Sequence, residues 1–140
     1  MFSNENCLYF CNLKNKSKLQ KQGKKMTVRE IAALVQGDIL GGEEYQDRQV
    51  ERIFASDLMS DVLTLKDYDN LMLVTGLCNL QSIRTCEMSD IQMILVVRGK
   101  EVTPEMLELA EDNEMIVVRT AFSMYKTAGI LYGAGIPPVY

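Results

Sequence analysis

Four short stretches hold the side chains best suited to chemistry: Ser56-Asp57, Thr75-Gly76, Arg98-Gly99-Lys100 and Arg119-Thr120. Each follows an apolar run and precedes a helix signal. Together they offer cations, hydroxyls and a carboxylate close to helix N-termini, whose free amides favour anions. The chemistry they suit is the binding of a phosphate or carboxylate. The candidate ligand-binding set is therefore Ser56, Asp57, Thr75, Gly76, Arg98, Lys100, Arg119 and Thr120. Arg119 is the leading direct contact, because its planar fork can donate two parallel hydrogen bonds to an anion. No catalytic residue and no metal ligand is assigned.

Other chemistry is poorly supplied. The chain has no histidine, and it lacks the GxxxxGK-[Ser/Thr] loop that self-contained nucleotide hydrolysis or phosphoryl transfer needs. Asp57 and Asp61 stand four apart and could share a metal, but no third carboxylate is near in sequence. Gly133-Ala134-Gly135 is half of a dinucleotide fingerprint, yet it follows a helix and runs into Pro137-Pro138, so it reads as a helix stop. The cysteines Cys7, Cys11, Cys78 and Cys86 fit neither a zinc spacing nor a disulfide framework. A reduced, cytoplasmic setting is expected, with Cys78 and Cys86 acting as small hydrophobes.

Charge is unevenly placed. Lys14, Lys16, Lys18, Lys21, Lys24 and Lys25 face a single acid, Glu5, in the first 25 residues, whereas the other 115 residues carry nine basic and eighteen acidic groups. So acidic a body repels a nucleic acid backbone, and no nucleic acid partner is expected. Residues 1–25 have no sustained period and are expected to form a disordered basic tail, or an upstream extension of a gene whose start is Met26. The apolar run Cys7 to Cys11 is far too short to span a membrane and follows no basic residue, so neither a membrane anchor nor export is expected.

Residues 26–140 read as one domain. Thr27-Val28-Arg29-Glu30 is a capping box, opening a helix to about Val35 with Gly37 placed for a left-handed C-cap. Asp38 to Leu40 is a short strand, and Val50 to Ala55 is a strand with one irregularity. Ser56-Asp57 then supplies N-cap choices for a helix from Leu58 to about Leu65. Leu71 to Thr75, Ile91 to Arg98 and Met115 to Arg119 are runs of Ile, Leu, Val and Met, the pattern of parallel strands buried on both faces. Helices follow each of them: one that Asn79 can cap, one announced by Thr103-Pro104-Glu105, and a last one from about Ser123. In the second of these helices Met106, Leu107, Leu109 and Ala110 face inward against an acidic outer face. The last is expected to bury Tyr125, Ala128 and either Leu131 or Tyr132. The fold class is α/β: a three-layer α/β/α domain with a mostly parallel open sheet of about five strands. Ligands of such sheets bind outside the carboxyl ends of the strands, where the four stretches lie.

The series Thr27 to Ala32, Gly41-Gly42-Glu43-Glu44, Asp47 to Val50, Ala55 to Ser60 and Val102 to Ala128 resembles a stand-alone DRTGG domain. It is also similar to the N-terminal domain of bacterial HPr kinase/phosphorylase. The likeness covers about residues 26 to 136, although the name-giving pentapeptide is absent. It implies a non-catalytic regulatory module of a bacterial metabolic system, with no cofactor and with a nucleotide as the candidate anionic ligand. The implied partner is a second copy in a homodimer, or a metabolic enzyme on which the module docks. The alternative is an oligomerisation or protein-interaction module without a small ligand.

Overall fold

The structure, a computed structural model, describes residues 23–140. The tail expected over 1–25 lies, up to residue 22, outside the described residues. Lys24 and Lys25 already touch the body: the Lys24 amide donates to the Gly135 carbonyl at 3.2 Å, and Lys25 Nζ pairs with Glu51 at 2.6 Å.

Among the described residues there are seven strands and five α-helices. They are β1 (Met26–Thr27), α1 (Val28–Leu34), β2 (Asp38–Gly41), β3 (Gln49–Val50), β4 (Arg52–Ala55), α2 (Met59–Val62), β5 (Leu71–Thr75), α3 (Leu80–Met88), β6 (Met93–Val96), α4 (Pro104–Asp112), β7 (Ile116–Arg119) and α5 (Met124–Gly133). The main sheet runs β2-β7-β6-β5-β4. Its last four strands are parallel, and β2 joins β7 antiparallel. β1 and β3 form a separate two-stranded pair.

Alternate residues of the central strands serve two cores, as strand geometry requires. Met72, Val74, Met93, Leu95, Ile116 and Val118 meet α1 and α5 on one face. Leu71, Leu73, Ile94, Val96 and Val117 meet α2, α3 and α4 on the other. The connections leaving β4, β5 and β6 thus turn toward one layer, and the connection leaving β7 turns toward the opposite one. This is the three-layer α/β/α architecture expected of the buried apolar runs.

Local expectations are met in part. The capping box on α1 is present, with Thr27 Oγ1 accepting from the Glu30 amide and Glu30 accepting from the Thr27 amide. The left-handed residue after α1 is Gln36, at φ 50°, rather than Gly37. Glycine is required at 37 for another reason: a β-carbon there would lie 2.8 Å from the Arg119 carbonyl oxygen. The irregularity expected in Val50 to Ala55 is the break at Glu51 between β3 and β4. The helix expected from Leu58 to Leu65 is only the single turn α2, its N-cap is Leu58, and no side chain caps it. Ser56 instead accepts from the Leu58 amide at 3.0 Å, and Asp57 is directed across the sheet. In α5 the inward residues are Thr127 and Leu131, while Tyr125 is 91% exposed and Tyr132 56%. The stripe Tyr125, Ala128, Tyr132 is helical in phase as expected, but it faces a groove.

The edge of β4 is partly covered by the C-terminal segment. The Ile53 amide donates to the Pro137 carbonyl at 3.2 Å, and Arg52 Nη1 donates to the Pro138 carbonyl at 3.1 Å. Such cover withholds unpaired strand groups from other chains.

Val96 is 1% exposed in β6, with strands on both sides. Val96→Asp buries an unpaired carboxylate, and circular dichroism should find little folded protein. Glu108→Lys, on the exposed face of α4, should shift the melting temperature by no more than a degree or two.

Candidate functional site

At the carboxyl ends of β4, β5 and β6 the chain gathers Ser56, Asp57, Thr75, Gly76 and Arg98 into one cluster. Asp57 Oδ1 accepts from the Gly76 amide at 2.5 Å and from Thr75 Oγ1 at 3.2 Å. Thr75 Oγ1 in turn accepts from the Leu77 amide at 3.1 Å. The end of β5 is therefore tied to the loop after β4 by a carboxylate. Arg98 reaches over the same point: its Nη2 lies 3.4 Å from the Gly76 carbonyl and 3.7 Å from Asp57 Oδ2. Gly76 must be glycine for this, because a β-carbon would collide with the Arg98 guanidinium. The Arg98 and Asp57 side chains are each 51% exposed, so the pair is wet, loose and open to competition from another anion.

The sheet would be expected to gape between β6 and β7, where successive connections diverge to opposite faces. It is laced shut there. Arg98 and Gly99 both adopt left-handed backbone conformations, at φ 63° and 59°. Their amides donate to the Phe122 and Thr120 carbonyls, each at 2.8 Å. These amides are spent on the fold, and the open part of the rim is displaced toward β5 and β4.

The other candidates divide by position. Thr120 is 1% exposed. Its hydroxyl donates to the Val35 carbonyl at 2.7 Å and accepts from the Phe122 amide at 3.2 Å, so it clamps the end of α1 beneath the rim. Arg119 stands on the far side, with Nη2 3.9 Å from Asp38 Oδ2. Lys100 is exposed on the loop after β6. Lys100 and Arg119 both favour the Cys78 thiolate, yet burial outweighs them and raises that thiol above its ordinary value. Among the described residues no cluster of three or more His, Cys, Asp or Glu could hold a metal.

Sequence reasoning missed two neighbours of this rim. Asp38 faces Arg119 because β2 runs antiparallel and brings its first residue to the strand ends. The second is a groove of about 430 Å³ between β4, α5 and the C-terminal segment, lined by Phe54, Ala55, Tyr125, Gly129, Tyr132 and Tyr140 among others. The stripe Tyr125, Ala128, Gly129, Tyr132 was its legible signal, since such spacing marks one helix face.

Asp57→Ala leaves the buried Gly76 amide without its acceptor and should cost about 1–3 kcal/mol in urea unfolding. Asp57→Asn keeps an acceptor oxygen and should cost less. Cys86 is fully buried and its thiol is pushed up to about 12, so it stays protonated at pH 8. Peptide mapping after iodoacetamide at that pH should find Cys86 unmodified in the folded protein and modified once it is unfolded.

No family model matches the chain, and no curated protein does. A solved structure does match: the CBS and DRTGG domains of the regulatory region of Clostridium perfringens pyrophosphatase, complexed with its activator diadenosine tetraphosphate. The TM-score is 0.64 at 13% sequence identity, over 79% of this chain and 47% of that one. The chain thus spans about half the length of the structure it matches, and its fold is similar to that of part of a regulatory region built from CBS and DRTGG domains.

Proposed function

We propose that this chain is a non-catalytic regulatory module that binds an anionic small molecule, a nucleotide or related phosphate, at the rim formed by the ends of β4, β5 and β6. The observation that carries the reading is the Arg98 guanidinium, laid over the end of β5 and held by a long bond to the Gly76 carbonyl at 3.4 Å and a loose pair at 3.7 Å with half-exposed Asp57. Lys100 follows it on the same loop. A phosphate can displace the carboxylate and take both guanidinium donors without disturbing the buried bonds below. The fold likeness supports the reading, since the matched regulatory region binds a nucleotide activator. In this reading the module works in the cytoplasm of a bacterium, as a homodimer or docked on a metabolic enzyme, and needs no cofactor.

A second reading, an oligomerisation or interaction module without a small ligand, is favoured by a separate observation. Leu58, Leu63, Leu80 and Met88 are 57%, 43%, 42% and 74% exposed on and beside α2 and α3. Exposed apolar side chains on two neighbouring helices suit a protein partner.

A thermal-shift screen of nucleotides and phosphorylated metabolites separates the two. A ligand at a hundred times its dissociation constant adds ~2.7 kcal/mol to stability. Arg98→Ala should then weaken binding by roughly 1.5–3 kcal/mol, the range for hydrogen bonds to charged groups, and leave the unliganded melting temperature nearly unchanged. Arg119→Ala should weaken binding as well where Arg119 leaves Asp38 for the ligand. Lower stability with an unchanged ligand response assigns Arg119 to the fold alone. No shift with any compound, alongside a stable dimer in solution, overturns the first reading in favour of the second.

A further inference from the structure

The groove beside α5 reaches the carboxyl end of β4, the strand from which the first rim residues follow. Ala55, which lines it, is followed directly by Ser56 and Asp57. Tyr125, in the first turn of α5, stands at the same end. The C-terminal segment pairs parallel to β4 through Ile53 and Pro138, so it too advances toward the rim and brings Tyr140 against Phe54, the ring centroids 6.2 Å apart in an edge-on contact. An aromatic-walled slot therefore has as one of its lining residues Ala55, two positions before the Asp57 carboxylate that Arg98 bridges.

Resting on the anion-binding reading above, we infer that the groove receives the base of a nucleoside polyphosphate whose phosphates lie along the rim. Three features select this class. The slot, about 430 Å³, is of a size that small ligands fill. Its floor is open, because a β-carbon added at Gly129 would meet nothing within 4 Å, and Tyr125 beside it is 91% exposed. A base stacks on such rings whatever its identity, since every base has a π-face. Charge complementarity supplies the third. Lys126 stands next to Tyr125, with Nζ 3.8 Å from the centre of the Phe122 ring. Arg98 and Lys100 lie on the loop after β6, and β6 neighbours β7, the strand before α5, with adjacent strands about 4.8 Å apart. Cations spread over neighbouring strand ends match a chain of phosphates better than a single carboxylate.

The test compares ATP and GTP with tripolyphosphate, which offers the same anionic chain without a base, by isothermal titration calorimetry on the full chain. ATP and GTP should bind about tenfold or more tightly than tripolyphosphate, the scale of one stacked base. Tyr125→Ala and Gly129→Leu should remove that advantage, the first by deleting a ring and the second by filling the slot, and both should leave tripolyphosphate affinity unchanged. Neither position is in the core, so the melting temperature verifies that both variants fold. Equal affinity for ATP and tripolyphosphate in the unmodified chain overturns the base site and leaves the anionic rim standing. Binding of none of the three overturns the rim and the groove together. Decanoate bound more tightly than ATP overturns the inference in favour of an apolar acid. A dimer that Tyr125→Ala dissolves, with no nucleotide advantage, overturns it in favour of a second copy.

Discussion

β5, β6 and β7 are buried on both faces almost without interruption, and everything else in the molecule answers to that constraint. A strand that shows apolar side chains above and below must be covered twice, so the chain sends α2, α3 and α4 over one face and α1 and α5 over the other. Polar and charged groups are thereby excluded from the middle of the domain and collected where the strands end. The rim is a consequence of this sorting before it is a device for anything.

What distinguishes this rim is how much of its hydrogen-bonding capacity the fold consumes. Thr75 and Thr120 have hydroxyls suited to a ligand, but each is buried and each bonds the backbone. The amides of Arg98 and Gly99 close the gap between β6 and β7, and Asp57 satisfies the buried amide of Gly76. After this, the groups left with capacity are the guanidinium and ammonium heads. They remain exposed because a charge is costly to bury and a half-exposed ion pair contributes little. In the proposed function, a phosphate arriving here would exchange a weak contact for a stronger one, with the bonds of Asp57 to Gly76 and Thr75 left in place.

The rotation of α5 about its own axis decides what lies next to the cations. Thr127 and Leu131 turn inward, which places Tyr125, Gly129 and Tyr132 on the groove. The C-terminal segment then completes the opposite wall while covering part of the β4 edge. One short segment thus protects a strand edge and shapes an aromatic slot.

The sequence by itself determined the elements and their layering. Leu71 to Thr75 is a strand end to end, Asn79 caps its helix, and the double burial of the central runs implied a sheet covered on both sides. These are local matters of caps, periods and side-chain polarity, and they survive without knowledge of neighbours. The same logic placed Ser56, Asp57, Thr75, Gly76 and Arg98 at strand ends, where they do meet. Only the tertiary structure decided strand order, the antiparallel direction of β2 that sets Asp38 against Arg119, and the use of Asp57 as a tie rather than a cap. It also decided which face of α5 is inward. An apolar stripe at helical spacing reports that a face is apolar, not what lies opposite it, so Tyr125 was legible as one of a set and illegible as exposed. Pairings between residues distant in sequence depend on how the layers close, and no local pattern encodes them.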